Sequence, residues 1–172
     1  MPSTVAARHA AAYAMFAALT VGCGNDPDRE SSNRGSGSDT QNTTVENAYI
    51  VPAFVPGSCA LQIGGTAKLR FTVTNNRAVG VERLVSVSTD AAKSATVPGA
   101  ANVDIPAGGV LTVGQPQTDL PASGSVTAPA VTLTELDSDA RPATSTPVTF
   151  TFDDFGPLEL RVPIEACPTQ QR

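Results

Sequence analysis

Apolar and polar residues alternate over two long stretches of this sequence, and this spacing is the strongest constraint on its fold. In residues 67–74 the apolar members are Ala67, Leu69, Phe71 and Val73. In residues 148–164 they are Val148, Phe150, Phe152, Leu158, Leu160, Val162 and Ile164. A period of two places apolar side chains on one face of a β-strand. Asp153-Asp154-Phe155-Gly156 interrupts the second stretch as a turn, which predicts a β-hairpin.

Shorter apolar segments separated by Gly and Pro predict further strands. They lie near residues 48–54, 84–88, 95–97, 110–113 and 131–136. Only residues 91–94 and 137–140 could hold a helical turn. Short strands at this spacing predict an all-β protein, an antiparallel sandwich or barrel.

The N-terminus carries the pattern of an export signal. Arg8 and His9 precede the apolar run 10–21, which ends at Gly22-Cys23. A bilayer span takes about 20 apolar residues, whereas an export signal needs a run of about 7 to 15. We therefore expect residues 1–22 to be removed as a signal peptide.

The residues at the cut, Leu19-Thr20-Val21-Gly22-Cys23, resemble the lipobox of bacterial lipoproteins. In a lipobox the Cys receives a diacylglyceryl thioether before cleavage, so the resemblance predicts Cys23 as the lipidation site. It places the protein on the extracytoplasmic face of the cell membrane, held by acyl chains. The alternative is a simple secretory signal that leaves Cys23 as an ordinary thiol.

Charge supports a lipid as the means of attachment. Loss of Arg8 with the signal leaves 10 basic and 16 acidic residues, a net charge of −6. This balance argues against nucleic acid as a partner and offers no polybasic patch for anionic lipids.

The three cysteines also fit this interpretation. An exported protein with an odd number of cysteines has a thiol to account for, and lipidation of Cys23 removes it. Cys59 and Cys167 then remain as a predicted disulfide pair that closes a loop of about 100 residues, worth on the order of 4 to 5 kcal/mol. A redox or metal site is the alternative, but neither Cys has a second Cys or a His nearby.

These observations divide the chain into four parts. We expect a signal peptide at residues 1–22 and a lipidated Cys with a disordered polar tether at residues 23–43. A tether of this length spans roughly 25 Å. A β-sandwich domain is expected at residues 44–168, followed by a short tail at residues 169–172.

Three sequence blocks carry a family resemblance. They are Val81-Glu82-Arg83-Leu84-Val85-Ser86-Val87-Ser88-Thr89, Ile105-Pro106-Ala107-Gly108-Gly109 and Pro147-Val148-Thr149-Phe150-Thr151-Phe152, the last followed by Val162-Pro163-Ile164. The order and spacing of these blocks over residues 45–165 resemble the LpqE-type lipoproteins of mycobacteria. Those proteins in turn resemble periplasmic copper chaperones. The resemblance implies a Greek-key, cupredoxin-like antiparallel β-sandwich.

The ligands of a copper chaperone, however, are missing. Met1, Met15 and His9 are the only Met and His residues, and all three lie in the signal. Where the chaperones carry their ligands, this chain reads Ser-Ala-Thr-Val at residues 94–97 and Ala-Val-Thr-Leu-Thr-Glu at residues 130–135. We therefore expect no copper site and no cofactor.

Catalysis is also disfavoured. Without His the chain lacks the usual base of Ser-His and Cys-His catalysis, and neither Lys68 nor Lys93 belongs to a Ser-x-x-Lys motif. Asp153-Asp154 and the acidic residues of 135–139 could collect a hard cation, but Asp is common in turns because it binds nearby backbone N–H groups. A structural turn is the favoured interpretation of both.

The predicted function is therefore a non-catalytic binding or accessory lipoprotein, with an envelope or respiratory membrane complex as a candidate partner. The loops at residues 97–102 and 114–123 are candidate binding surfaces. The rival hypothesis is a copper or other metal chaperone that uses non-standard ligands. A third, binding of a lipid or apolar small molecule inside the sandwich, would need a large cavity.

Overall fold

The computed structural model describes residues 42–54, 63–97, 103–115 and 124–166. Ten β-strands cover most of these residues. They are β1 (Thr43–Pro52), β2 (Thr66–Asn75), β3 (Glu82–Thr89), β4 (Ala92–Thr96), β5 (Val103–Ile105), β6 (Val110–Val113), β7 (Ser125–Ala128), β8 (Val131–Leu136), β9 (Ser145–Phe152) and β10 (Gly156–Pro163). Within the described ranges no helix is long and apolar enough to cross a membrane.

The strands form two sheets. The larger has six strands in the order β4-β8-β2-β6-β7, with β1 also paired to β2. The smaller has four strands in the order β10-β9-β3-β5. The strand pairs are antiparallel except β6 and β7, which run parallel.

Strand β2 is the centre of the larger sheet because three strands pair with it. β1 runs along its whole length, whereas on the opposite edge β8 pairs with residues 66–69 and β6 with residues 71–74. The end of β6 therefore meets the start of β8 beside β2. Gly114 lies at this junction with φ of +62°, and a Cβ there would lie 2.4 Å from the Cβ of Ala130, so only glycine fits.

The core lies between the sheets and follows from the alternating pattern. Every second residue of β2 and of β9 is buried. At the centre, the rings of Phe71 and Phe150 join the two sheets edge to face, with centroids 4.8 Å apart. Such a pair adds about 0.5 to 1.5 kcal/mol to the stabilisation from burial of its apolar area.

Every predicted strand is present; β6 and β8 have the predicted bounds, whereas the others are shifted or extended by a few residues. The predicted hairpin is formed by β9 and β10, whose turn lies at residues 153–155. Two strands were not predicted. β5 has only three residues, and β7 alternates exposed Ser and Thr with apolar side chains over only four positions, so both are too short for a periodic signal.

The two expected helical turns have different outcomes. For residues 91–94 the prediction was wrong, because β4 begins at Ala92 and pairs with β8. Pairing with a neighbouring strand outweighs the weak local helix propensity of this short segment. Residues 137–140 do form a single turn, closed by a hydrogen bond of 3.1 Å from the Ala140 N–H to the Asp137 carbonyl.

Candidate functional site

The fold brings together the two segments at which the sequence resemblance to copper chaperones would place ligands. Residues 94–96 belong to β4 and residues 131–135 to β8, and these strands are neighbours in the larger sheet. Ser94 lies directly opposite Thr134, and Thr96 lies opposite Thr132. Cross-strand partners have Cβ atoms about 4.5 to 5.5 Å apart, so ligands at these positions could share one ion.

The side chains at these positions bind one another instead. The hydroxyl oxygens of Ser94 and Thr134 lie 2.6 Å apart in a hydrogen bond. The Lys68 ammonium, from β2, donates to Thr132 Oγ1 at 2.7 Å. Lys93 and Glu135 form an exposed ion pair at 2.9 Å. The surface formed by β4, β8 and the start of β2 is therefore a hydrogen-bonded layer of hydroxyl and ammonium groups.

This donor set does not fit copper. Cu(I) selects thiolate and thioether donors, and imidazole suits Cu(II), whereas this surface offers hydroxyls and one carboxylate. The Lys68 ammonium beside Thr132 would also repel a cation. Among the described residues, no three His, Cys, Asp or Glu side chains gather as a metal site would require.

The two acidic segments form turns, as the sequence analysis favoured. Asp137 accepts hydrogen bonds on Oδ1 from the Ser138 hydroxyl and the Asp139 N–H. In the β9–β10 turn, Asp153 contacts the Arg83 guanidinium at 3.4 Å and Asp154 contacts that of Arg77 at 2.7 Å. These carboxylates are engaged within the protein.

A buried carboxylate at one end of the sandwich is the most unusual polar feature of the described residues. Glu82, the first residue of β3, is 1% exposed. Its Oε1 accepts the backbone N–H groups of Arg83 at 2.9 Å and Asp154 at 3.2 Å. Its Oε2 accepts the Thr43 hydroxyl at 3.0 Å and lies 3.7 Å from an Arg77 guanidinium nitrogen.

Arg77 extends this polar cluster into the loop between β2 and β3. It donates to the Val81 carbonyl at 2.5 Å, and its N–H and Nε donate to the Asn75 side-chain oxygen at 3.1 and 3.3 Å. Asn75, itself buried, donates to the carbonyls of Gly80 and Ile105. We call Thr43, Asn75, Arg77, Glu82 and Asp154 the Glu82 cluster.

Hydrogen bonds to carboxylates raise the pKa of Arg77 and of its neighbour Arg83. The hydrogen bond to Asp154 raises the pKa of Arg77 above its ordinary value, with smaller contributions from the charges of Glu82 and Asp154. The hydrogen bond to Asp104 likewise raises the pKa of Arg83. Each oxygen of Glu82 has a donor, so the cluster resembles a satisfied structural brace more than a reactive group.

This cluster was not predicted from the sequence. The sequence offered one signal for it: Glu82 lies two residues before Leu84 in β3, so both side chains point into the core. A charged residue at an apolar position of a strand implies buried partners. Those partners come from residues distant in sequence, so they could not be named from periodicity.

The predicted lipidation and disulfide residues, Cys23, Cys59 and Cys167, lie outside the described residues. The structure does describe the residues that lead toward Cys59 and Cys167. Residues 53 and 54 follow the end of β1, and near that end the Glu165 N–H donates to the Ile50 carbonyl at 2.9 Å. Ile164 pairs with Ile50 as an isolated parallel bridge. The described segments that lead toward Cys59 and Cys167 therefore converge on the second half of β1.

Comparison with solved structures defines the class of fold. The copper-bound PCuAC domain from PmoF2 has a TM-score of 0.54 and 18% identity, covering 76% of this chain and 98% of that domain. The apo PCuAC domain from PmoF1 has a TM-score of 0.54 and 19% identity, covering 76% and 99%. The chain therefore has the Greek-key, cupredoxin-like β-sandwich that the sequence resemblance implied. At this identity the likeness concerns the fold alone.

Sequence comparison identifies the family. The model of the LpqE-like lipoproteins matches residues 43–164, which include all ten strands. The chain belongs to this family, as its sequence blocks indicated. No curated protein matches it.

We expect removal of the Glu82 carboxylate to destabilise the domain strongly. In Glu82→Ala the Thr43 hydroxyl and the N–H groups of Arg83 and Asp154 each lose a hydrogen bond to a buried carboxylate, and Arg77 loses a carboxylate 3.7 Å away. Breaking a buried pair in this way costs about 3 to 5 kcal/mol. The matched control, Glu159→Ala at an exposed position of β10, should change stability by less than about 0.5 kcal/mol. Urea unfolding measures both, and equal midpoints would show that Glu82 does not brace the fold.

Proposed function

We propose that the mature protein is a lipid-anchored, non-catalytic binding or accessory module at the outer face of the cytoplasmic membrane. Its partner is an envelope or respiratory membrane complex. The observation that carries this proposal is the polar surface of β4 and β8. There, the chaperone fold presents hydroxyls and an ion pair where the resemblance places copper ligands.

Membership of a lipoprotein family supports the anchor. Two acyl chains on Cys23 would give stable attachment, which a single chain does not. The polar residues that follow would hold the domain at a distance from the headgroups. Anchoring restricts the protein to partners in or near the membrane.

The packing between the sheets supports binding at the surface rather than inside. The space lined by Ile50, Ala91 and Leu133 cannot admit a water-sized sphere. A water molecule alone needs about 10 to 15 Å³, so this part of the core has no room for a lipid. The predicted loop surfaces fall largely at residues 98–102 and 116–123, outside the described residues.

The rival function is a metal chaperone that uses non-standard ligands, and its basis is the likeness to PCuAC domains. The two hypotheses differ in ligand chemistry. Carboxylate and hydroxyl oxygens are hard donors that compete poorly with water for a soft ion. Residues 24–172 contain no Met and no His. A chaperone of this kind would therefore have to use other ligands or obtain them from a partner.

Copper titration of residues 24–172, purified without a His tag and in the oxidised form, tests the proposed function. We expect no one-to-one complex with a Kd below about 1 μM for Cu(I) or Cu(II), because thioether and imidazole donors are missing. Competition against a chromophoric chelator measures the affinity. A stoichiometric complex tighter than this limit would establish the metal chaperone instead.

The anchor is tested separately by Cys23→Ser. Without the thiol no thioether can form, and the apolar run 10–21 is too short to span the bilayer. We expect the variant to move from the membrane fraction to the soluble exported fraction, while unaltered protein remains with membranes and labels with a palmitate analogue. A cleaved variant that still sediments with membranes would contradict the lipid anchor.

We expect Cys59 and Cys167 to be bonded, because an oxidising compartment favours pairing and the described segments toward both converge on β1. Mature protein denatured without reductant should then show no free thiol by reaction with a maleimide. Reduction should release two thiols and lower the free energy of unfolding by about 2 to 5 kcal/mol. Two reactive thiols before reduction would exclude the bond.

A further inference from the structure

Exposed large apolar side chains are concentrated in one short segment. Among the described residues they are Ile63, Val79, Val81 and Val85, exposed by 78%, 80%, 47% and 43%. Three of these four lie within residues 79–85. Scattered exposed apolar residues are ordinary, but a contiguous group marks an interaction surface.

Val81 lies just before β3, Arg83 is its second residue and Val85 lies at its bulge, and the three side chains alternate with the buried Glu82 and Leu84. Neighbours on one face of a strand lie roughly 6 to 7 Å apart. The aliphatic stem of Arg83 lies between the two valines and adds apolar surface. We call Val79, Val81, the Arg83 stem and Val85 the valine strip.

The Glu82 cluster holds the loop that carries Val79 and Val81. Arg77 binds the Val81 carbonyl at the end of the loop, the Asn75 side chain at the end of β2, and Asp154 in the β9–β10 turn. Asn75 also donates to the Gly80 carbonyl at 3.2 Å. A loop fixed in this way loses little conformational entropy when a partner covers it. Hydrogen bonds from the Arg77 and Asn75 side chains therefore hold two exposed valines in a defined position.

Acidic groups border the valine strip. The carboxylates of Asp104, Asp153 and Asp154 are 58%, 61% and 60% exposed. Arg83 binds Asp104 at 2.6 Å and Asp153 at 3.4 Å, so its charge is compensated within the protein. With Glu82, the four carboxylates outnumber the two arginines. Such a rim is repelled by anionic lipid and attracts a basic protein surface.

The first strand of the domain begins at the same end of the sandwich as the valine strip. β1 starts at Thr43, opposite Asn75 at the end of β2. The N–H of Asn76, the first residue of the loop, donates to the Asn42 carbonyl at 2.8 Å. The segment leading back to Cys23 therefore departs beside the valine strip. On the proposed lipid anchor, a flexible tether of about 20 residues would place that end at a root-mean-square distance of roughly 25 Å from the anchor.

We propose that the valine strip is the docking surface for a membrane protein, which offers an apolar patch flanked by Lys or Arg on its extracytoplasmic side. This inference rests on the proposed lipid anchor for its geometry. A protein partner accounts for both the apolar centre and the acidic rim. A lipid surface accounts for the apolar centre alone.

Photo-cross-linking in intact membranes tests this surface, with benzoylphenylalanine at position 79 or, as control, at position 63 of the lipidated protein. Ile63 is equally exposed but lies beyond the opposite end of β2, about 30 Å away. We expect a discrete protein adduct from position 79 and none from position 63. The cross-linked peptide of the partner should contain apolar residues next to Lys or Arg.

Substitutions separate specific docking from chance proximity. With the probe at position 79, Val81→Asp and Val85→Ser should each lower the adduct about tenfold, whereas Ile63→Asp should leave it within about twofold. Asp104→Asn should weaken the dependence of the adduct yield on salt concentration. Asp139 is an exposed acid outside the strip, so Asp139→Asn should leave that dependence unchanged. Thermal unfolding confirms that each variant is folded.

Several results would overturn the docking proposal. They are equal adducts from both positions, an adduct with lipid or with a second copy of this chain, an acidic partner peptide, or an adduct insensitive to Val81→Asp. Failure of the anchor is distinguishable, because concentrated Cys23→Ser protein added to stripped membranes should still form the adduct. If Cys23→Ser protein sediments with membranes but position 79 forms the specific adduct, the docking surface is supported and the lipid anchor is contradicted.

Discussion

Strand β2 is the element on which the rest of the domain depends. Its inward residues place Phe71 against Phe150 of the opposite sheet, 4.8 Å between ring centroids. Its two edges pair with β1, β6 and β8, so one strand sets the register of three others. Because a shift of one residue would turn Phe71 to solvent, this register is strongly specified. The position of β8, and through it of β4, follows from β2.

In β8 the residues that determine the fold differ from those that determine the chemistry of the surface. Burial of the inward residues on β8, Val131 and Leu133, requires apolar side chains. The outward residues Thr132 and Thr134 are under no such requirement. The same sandwich can therefore carry copper ligands in one protein and a hydroxyl layer in another. Here, hydrogen bonds to Ser94 and Lys68 occupy the outward residues. The likeness to PCuAC domains consequently describes the scaffold.

Much of the scaffold could be predicted from sequence, because half-buried strands leave a period of two. The long strands β2, β9 and β10 show it, whereas β5 and β7 are too short to do so. The lack of Met and His beyond residue 22 could also be read from the sequence, since it depends on composition alone. The Glu82 cluster could not, because Thr43, Arg77 and Asp154 reach Glu82 only after both sheets have formed. Long-range polar contacts of this kind leave no local pattern.

The most direct test of the central claim, that scaffold and copper chemistry are separable, is to restore soft donors to β4 and β8. The variant would carry Ser94→Met, Thr132→His and Thr134→Met, whose side chains share the outward surface of paired strands. Its Cu(I) affinity would be measured beside that of unaltered residues 24–172. We predict that the variant binds one Cu(I) at least about 100-fold more tightly, a difference of about 2.7 kcal/mol. An unaltered domain that binds Cu(I) as tightly as the variant would contradict the account.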